Sequence, residues 1–207
     1  MSTFTYETED RKTRFERYEW DNTWIENTDN ADSRRVFYIG DSISCKTRTT
    51  GTYLTKGEIL FDGFGTSKGL DNPFFKDGIS LFAAQLPCIE RILFNNGLHG
   101  FHLNDEEEYG KYYEDMVKFL LEKFPNVPLY IVLTTCVANE ARLERVKARN
   151  KAALEIADKY NLSVIDLYTV SEQKKDLLRP DGVHFTQEGY DALAGEIISA
   201  VRAEKAN

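Results

Sequence analysis

Short apolar runs alternate with longer segments of helical periodicity between residues 36 and 201, and this alternation limits the possible fold. Branched and aromatic residues dominate the runs, which predict five buried strands at 36–40, 58–61, 91–96, 129–135 and 162–168. Helical periodicity predicts a short helix after Pro73 and helices that begin at Asn104, Asn139 and Thr186. Because strands and helices alternate, we expect an α/β fold in which helices cover both faces of a five-stranded parallel sheet.

Composition and charge narrow the function classes. The chain has 207 residues, 42% of them hydrophobic and 29% charged, which is typical of one soluble globular protein. Its net charge of -8, with no basic run, argues against nucleic acid as a partner. The charged N-terminal segment has no apolar stretch long enough for a secretory signal or a bilayer span, so we expect no membrane partner and a cytoplasmic location.

Residues 1–34 fit the alternating scheme poorly, because they are highly charged yet carry several aromatic side chains. We expect this segment to be an N-terminal extension that packs its aromatics on a domain formed by residues 35–207. The three cysteines, Cys45, Cys88 and Cys136, are odd in number and lack metal-site spacing, which favours reduced thiols. We expect Cys45 to be a small packing residue rather than a reactive thiol.

A serine follows the first predicted strand, in the sequence "VFYIGDS". Ligands of open parallel sheets bind at the carboxyl ends of the strands, so Ser42 occupies a suitable position for chemistry. A serine hydroxyl becomes a good nucleophile only when a base removes its proton. His184 is a candidate base, because Asp181 precedes it by three residues in a turn marked by Pro180 and Gly182. Asp181 could bind Nδ1 of the imidazole and leave Nε2 for the serine.

These two motifs carry a resemblance to a known family. Gly40-Asp41-Ser42 after the first strand and "DGVH" at 181–184 before the last helix resemble the GDSL/SGNH hydrolase superfamily, over residues 36–185. The resemblance implies a three-layer α/β/α sandwich, flavodoxin-like, with sheet order 2-1-3-4-5. It also implies ester hydrolysis by a Ser-His-Asp triad and an acyl-enzyme, with no cofactor or metal. Ser42 would be the nucleophile, His184 the general base and Asp181 its orienting carboxylate.

The oxyanion hole that the resemblance implies is less well matched. Family members usually join the N-H of the serine to a glycine after the second strand and to an asparagine in a Gly-x-Asn-Asp block after the third. Here the third strand is followed by "GLHG" at 97–100, so His99 stands in the place of that asparagine, with Asn95 or Asn96 as alternatives. For the glycine we expect Gly65, with Gly69 or Ser67 as alternatives.

The resemblance leads to an expected function and two rivals. We expect a hydrolase of carboxylic esters, with a short or acetyl acyl group and a small-molecule or carbohydrate substrate. The first rival is a nucleotide-binding domain that uses the loop Gly63–Gly69, although its G-x-G-x-x-x-G spacing departs from the dinucleotide motif. The second is a binding module of the same fold without turnover. His99, His102 and Asp105 could suggest a metal site, but the predicted helix start between them argues against one.

Overall fold

A mixed sheet forms the centre of the computed structural model, which describes residues 14–16, 18–30, 33–103 and 105–203. Its strands are β1 (Asp21–Trp24), β2 (Arg34–Gly40), β3 (Ile59–Thr66), β4 (Arg91–Phe94), β5 (Leu129–Val132) and β6 (Ser163–Ile165). The spatial order is β1-β3-β2-β4-β5-β6, and only β1 pairs antiparallel, against β3. The five parallel strands therefore have the predicted order 2-1-3-4-5, which is confirmed.

Six α-helices cover the sheet in the described part of the chain. They are α1 (Ser42–Leu54), α2 (Phe75–Ala83), α3 (Glu106–Lys123), α4 (Glu140–Lys159), α5 (Leu167–Gln173) and α6 (Gln187–Ala203), with one turn of 3₁₀ helix at Lys175–Leu177. None of the helices described is both long and apolar enough to cross a bilayer.

Two hydrophobic cores lie on opposite faces of the sheet. Successive residues of β2 enter different cores, because side chains alternate along a strand. Phe37 and Ile39 pack in the core beneath α2 and α3, whereas Val36 and Tyr38 pack in the core beneath α1 and α6. Both faces of β2 are thus buried, as its continuous apolar sequence predicts. The three-layer α/β/α architecture is confirmed.

Several predicted boundaries were wrong. β3 continues to Thr66, so Gly63 and Gly65 lie inside a strand rather than in a loop after it. The predicted strand at 162–168 is only three residues long and leads directly into α5. Asn104, the predicted cap of α3, lies outside the described residues. Asp105 caps that helix, since its Oδ1 accepts a hydrogen bond of 2.9 Å from the Glu107 amide.

The N-terminal extension contributes β1, which the sequence analysis missed. Every residue of β1 is exposed, and its sequence Asp-Asn-Thr-Trp has no apolar alternation to predict a strand. A buried ion pair lies just behind it, with Nη1 of Arg35 2.9 Å from Oδ1 of Asp62. Arg35 also donates to the carbonyls of Glu26 and Asn27, so the end of the extension is attached to the sheet. The domain boundary at residue 34 stays a prediction.

Candidate active site

The end of β2 and the start of α1 position Ser42. The strand is buried and ends at Gly40, and Asp41 then caps the helix by accepting a hydrogen bond of 2.9 Å from the Ile43 amide. This side-chain cap satisfies an amide that the first turn of a helix leaves without a backbone partner. Ser42 is consequently the first residue of α1 and lies at the carboxyl edge of the sheet, half-buried.

The turn before α6 brings His184 and Asp181 to the same edge. Oδ1 of Asp181 accepts hydrogen bonds from the amides of Val183 and His184, at 2.9 and 2.8 Å. Its Oδ2 lies 3.2 Å from Nδ1 of His184. On the other side of the ring, Nε2 lies 2.9 Å from Oγ of Ser42. The structure thus brings together the three residues that the sequence motifs suggested, although Ser42 and His184 are 142 residues apart.

A left-handed glycine makes this turn possible. Gly182 has a φ of +73°, a conformation that L side chains rarely adopt. A Cβ there would also approach the Cβ of Ala138 to 2.9 Å. The Ala138 amide donates to the Gly182 carbonyl at 2.8 Å, which attaches the turn to the segment after β5. Position 182 therefore requires glycine for both its backbone conformation and its packing.

The electrostatics of Asp181 suit a partner for imidazole. Burial alone would raise the pKa of Asp181, but the Val183 and His184 amides and the imidazole stabilise the carboxylate and lower the pKa below its ordinary value. Asp181 is therefore ionised at neutral pH. An ionised carboxylate at Nδ1 fixes the tautomer with a proton on Nδ1 and an unprotonated Nε2, which can accept the serine proton.

A pocket of about 570 Å³ lies beside the serine and the imidazole. It is lined by Ser42, Cys45, Lys46, Arg179, His184, Phe185, Thr186, Gln187 and Tyr190. Burial raises the pKa of the Cys45 thiol to about 11, so this cysteine is protonated at neutral pH and is a weak nucleophile. Its sulfur packs on Gly65, where an added Cβ would lie only 2.2 Å from Sγ.

The position of Gly65 contradicts its predicted role as an oxyanion donor. Gly65 pairs with Asn22 of β1, and two residues further along the Ser67 amide donates to the Trp20 carbonyl at 3.1 Å. Amides two residues apart on a strand point to the same side, so the Gly65 N-H points toward β1. It therefore points away from β2 and Ser42. Gly69, the alternative glycine, lies beyond the end of β3.

The strand end that follows β4 carries the other predicted donors. Nδ2 of Asn95 donates to the carbonyl of Val132, and Nδ2 of Asn96 donates to the carbonyl of Lys68, at 2.8 and 3.1 Å. His99 is fully buried, with its ring edge against Trp20 at a centroid distance of 5.9 Å. Burial raises the pKa of Asp41, and His99 lies close enough to that carboxyl to act against the rise. Asn95 also donates to Oγ1 of Thr134, so both of its amide hydrogens are engaged, whereas Asn96 uses one of its two. His99 lies near Asp41, the residue preceding Ser42.

Two arginines of α4 that the sequence analysis missed hold the loop containing His99. Arg149 is buried and donates to the carbonyls of Gly97 and His99, at 3.1 and 2.7 Å. Arg145 donates to the carbonyl of Phe101 at 3.0 Å, and Glu106 accepts from both guanidinium groups. Their spacing of four residues on one helix face was the available signal, but such a pair usually indicates a solvent-exposed surface.

The rival sites are not supported by this geometry. The nucleotide-loop hypothesis needs Gly63 and Gly65 in a loop after a strand, but both lie within β3. His102 is one of the residues considered above for a metal site. Its Nε2 lies 3.0 and 2.9 Å from the two carboxylate oxygens of Asp71. Among the residues that the structure describes, no group of three or more potential metal ligands comes together.

Sequence comparison gives a family assignment. The family model for GDSL-like lipase/acylhydrolase matches residues 92–197, which is just over half of the chain. The peptidoglycan O-acetyltransferase OatA of Listeria monocytogenes is 30% identical over 94 residues, which are 44% of this chain and 14% of the acetyltransferase. The chain therefore spans only a small part of that relative.

Solved structures share the fold at low sequence identity. The acetyl xylan esterase AlAXEase is 17% identical, with a TM-score of 0.63 over 81% of this chain and 99% of the esterase. A lipolytic G-D-S-L protein from Veillonella parvula is 17% identical, with a TM-score of 0.64 over 82% of this chain and 100% of that protein. The catalytic domain of OatA from Streptococcus pneumoniae is 16% identical, with a TM-score of 0.63 over 82% of this chain and 93% of the domain. The sheet order and the family match together establish that this chain belongs to the GDSL-like lipase/acylhydrolase family and has the SGNH hydrolase fold.

Proposed function

We propose that this protein is an esterase that removes short acyl groups, acetyl groups on carbohydrates in particular, through an acyl-enzyme on Ser42. The observation that carries the proposal is the chain of contacts from Asp181 to Nδ1 of His184 and from Nε2 to Oγ of Ser42, at 3.2 and 2.9 Å. The acetyl substrate is supported by the names of two similar proteins, an acetyl xylan esterase and a peptidoglycan O-acetyltransferase.

Acylation uses His184 first as a base and then as an acid. Nε2 of His184 takes the proton of Ser42 while Oγ forms a bond to the ester carbonyl carbon. The carbonyl π electrons move to oxygen and give a tetrahedral oxyanion. When the oxyanion collapses, the bond to the alcohol oxygen breaks and the imidazolium returns the proton to that oxygen. The products of this half-reaction are the free alcohol and an ester on Ser42.

Deacylation repeats these steps with water. His184 removes a proton from water, the resulting hydroxide attacks the acyl carbon, and Oγ of Ser42 leaves with the proton from the imidazolium. The ionised Asp181 stabilises the imidazolium in both halves. Because its pKa is lowered, this support persists throughout the neutral pH range.

The oxyanion donors that we propose are the Ser42 N-H, His99 and the N-H of Gly69. Ser42 opens α1, so its amide is one of those without an intrahelical acceptor. His99 is favoured because it lies beside Asp41, the residue before Ser42, whereas Nδ2 of Asn95 already makes two hydrogen bonds. Nδ2 of Asn96 is held by the Lys68 carbonyl but keeps a second N-H, so Asn96 stays the alternative. Gly69 replaces Gly65, whose N-H points toward β1. Substitution of His99 by alanine should lower kcat by about 10²-fold, and Gln, which retains a donor, should recover part of that loss.

Replacement of Ser42 by alanine tests the nucleophile. We expect Ser42→Ala to lower kcat for p-nitrophenyl acetate by about 10⁴-fold or more, because no other group can form the acyl-enzyme. The matched control is Thr49→Ala, which removes an exposed hydroxyl from the same helix and should retain activity. Circular dichroism checks that both variants are folded. Normal turnover by folded Ser42→Ala would refute the assignment.

The acyl-enzyme also permits transfer to an alcohol, which the similarity to OatA makes a specific second candidate. In that reaction a sugar hydroxyl replaces water in the second half, and His184 deprotonates it in the same way. Turnover of p-nitrophenyl acetate with increasing concentrations of an oligosaccharide acceptor separates the two activities. Acetylated oligosaccharide in the product mixture indicates transfer, whereas acetate as the only acyl product indicates hydrolysis.

A further inference from the structure

The serine pocket has a charge opposite to that of the whole protein. The chain carries a net charge of -8. However, the residues that line the pocket include two cations, Lys46 and Arg179, and no carboxylate. A site with this charge attracts anionic ligands and repels cationic ones.

The two cations come from different elements. Lys46 is an exposed residue of α1, one turn after Ser42. Arg179 is exposed and opens the turn that holds the imidazole, since its amide donates to the His184 carbonyl at 2.7 Å. Both positions are therefore fixed by the same backbone that positions the triad.

The neighbouring surface has a similar charge. A second pocket of about 630 Å³ is lined by the turn 180–183 and includes Arg142 and Arg145 in its lining. Arg145 is paired with Glu106 at 2.6 Å, so Arg142 is the cation that adds to the positive potential here. Among the described residues that line the two pockets, Asp181 is the only acid. Its carboxylate already accepts from two amides and faces the imidazole, so it adds little negative potential for a ligand.

The pocket must hold the alcohol part of the ester. His184 returns its proton to the oxygen of the leaving alcohol, so the alcohol has to lie on the imidazole side of Ser42. His184 lines this pocket together with Phe185 and Thr186, the residues that follow it. Lys46 and Arg179 thus flank the position where the remainder of the alcohol emerges.

We infer that the preferred substrate is an acyl ester of an anionic alcohol, whose carboxylate or phosphate group is attracted by Lys46 and Arg179. This inference rests on the proposed function and adds the charge of the leaving group to it. The two residues act as specificity determinants, because they lie outside the chain of proton transfers. A carboxylate and a phosphate both meet the same requirement, which is a negative charge near the acylated hydroxyl.

Two aryl acetates of nearly equal shape test the inference. 4-Acetoxybenzoate carries a negative charge on its leaving group, whereas 4-acetoxybenzamide is neutral. The measured quantity is the ratio of kcat/KM for the anionic ester to that for the neutral ester, after division by the rates of alkaline hydrolysis. We expect this ratio to exceed 1 at an ionic strength of about 0.01 M and to fall toward 1 at about 1 M, because salt screens exposed charges.

Neutral variants then assign the preference to the two side chains. Lys46→Gln and Arg179→Gln should each lower the ratio by about two- to fivefold, as expected for exposed charge pairs, and the double variant by roughly tenfold. The matched control is Lys111→Gln, which removes an exposed cation from α3 on the opposite face of the sheet and should leave the ratio unchanged.

Each outcome is decisive. A wild-type ratio of 1 or less, or a ratio that the double variant does not change, overturns the inference while hydrolysis of both esters still supports the esterase. If neither ester is hydrolysed and Ser42→Ala behaves as the wild type, the proposed function fails and the inference fails with it.

Discussion

Asp41 is a buried carboxylate directly before the nucleophile. Its Oδ1 caps α1 by accepting from the Ile43 amide, whereas its Oδ2 is buried without a hydrogen-bond partner among the described residues. Burial raises the pKa of Asp41, although His99 and the amide donors act in the opposite direction. The ionised form is therefore disfavoured in the folded protein relative to the unfolded chain.

This raised pKa predicts a pH dependence of stability. An acid whose folded pKa is higher than its unfolded pKa stabilises the fold while both states are protonated, and this contribution is lost as the pH rises through the folded pKa. In Asp41→Asn, Oδ1 still caps α1 and no charge is buried. We expect the melting temperature of the variant, relative to that of the wild type, to increase from pH 4 to pH 8, because only the wild type has to bury the ionised carboxylate.

A variant of Asp181 provides the control for that experiment. Its pKa is lowered, so its contribution to stability is present above the unfolded pKa and is lost as the pH falls. Asp181→Asn should therefore lose stability relative to the wild type as the pH rises, opposite to Asp41→Asn. Parallel melting curves for wild type and Asp41→Asn across the pH range would contradict the burial argument.

The loop 97–103 is an element whose position depends on side chains from another helix. Arg149 reaches three of its carbonyls, those of Gly97, His99 and Gly100. The guanidinium group lies over the rings of Phe101 and Tyr109, at 4.5 and 4.3 Å. Because a planar guanidinium donates in several fixed directions, lysine cannot replace these contacts.

We predict that Arg149→Lys retains the charge but releases the loop. Its free energy of unfolding should fall by about 3 kcal/mol, because buried carbonyls lose their donors. For the folded variant, kcat should fall by about tenfold with little change in KM, since the displaced group is the proposed oxyanion donor His99. Urea unfolding and steady-state kinetics measure the two effects. The control is Lys147→Met, which changes an exposed residue of the same helix. An unchanged kcat in Arg149→Lys would show that the position of the loop does not affect catalysis.

The elements that the sequence predicts well are those with local signals. Three elements have bounds that the sequence predicts to within a few residues. These are β2 from its apolar run, α4 from its cap Asn139 and α6 from its periodicity. Ser42, Asp181 and His184 follow from short motifs at the ends of such elements. By contrast, the direction of the Gly65 amide depends on pairing with β1, and the fixation of His99 depends on Arg149, 50 residues away. The spacing of Arg145 and Arg149 places them on one helix face, but no local pattern indicates which loop or strand either contact reaches.

At the scale of the whole molecule, a buried ion pair between β2 and β3 binds the end of the N-terminal extension through hydrogen bonds. The side chains of Arg35 and Asp62 are almost fully buried. Asp62 also accepts from the Glu26 amide at 2.8 Å, and Arg35 donates to the carbonyls of Glu26 and Asn27. Loss of either charge would leave the other buried and unpaired.

We predict that Arg35→Met lowers the free energy of unfolding by about 3 to 5 kcal/mol, because the Asp62 carboxylate remains buried without its cation. The double variant Arg35→Met/Asp62→Leu should be more stable than Arg35→Met, since it removes the stranded charge. Urea denaturation of the wild type, both single variants and the double variant gives the four free energies of unfolding that a double-mutant cycle needs. Additive losses would show that the two charges are not coupled.

The two outer strands of the sheet have a consequence for solubility. β3 is buried over all eight residues and would be a long, flat template for another chain if its outer side were open. β1 covers that side with four exposed residues, and at the opposite margin β6 has only three. Within the described residues, the sheet therefore ends on both sides in short strands that offer few backbone groups to a neighbouring molecule, and we expect them to oppose the growth of fibrils in a concentrated solution.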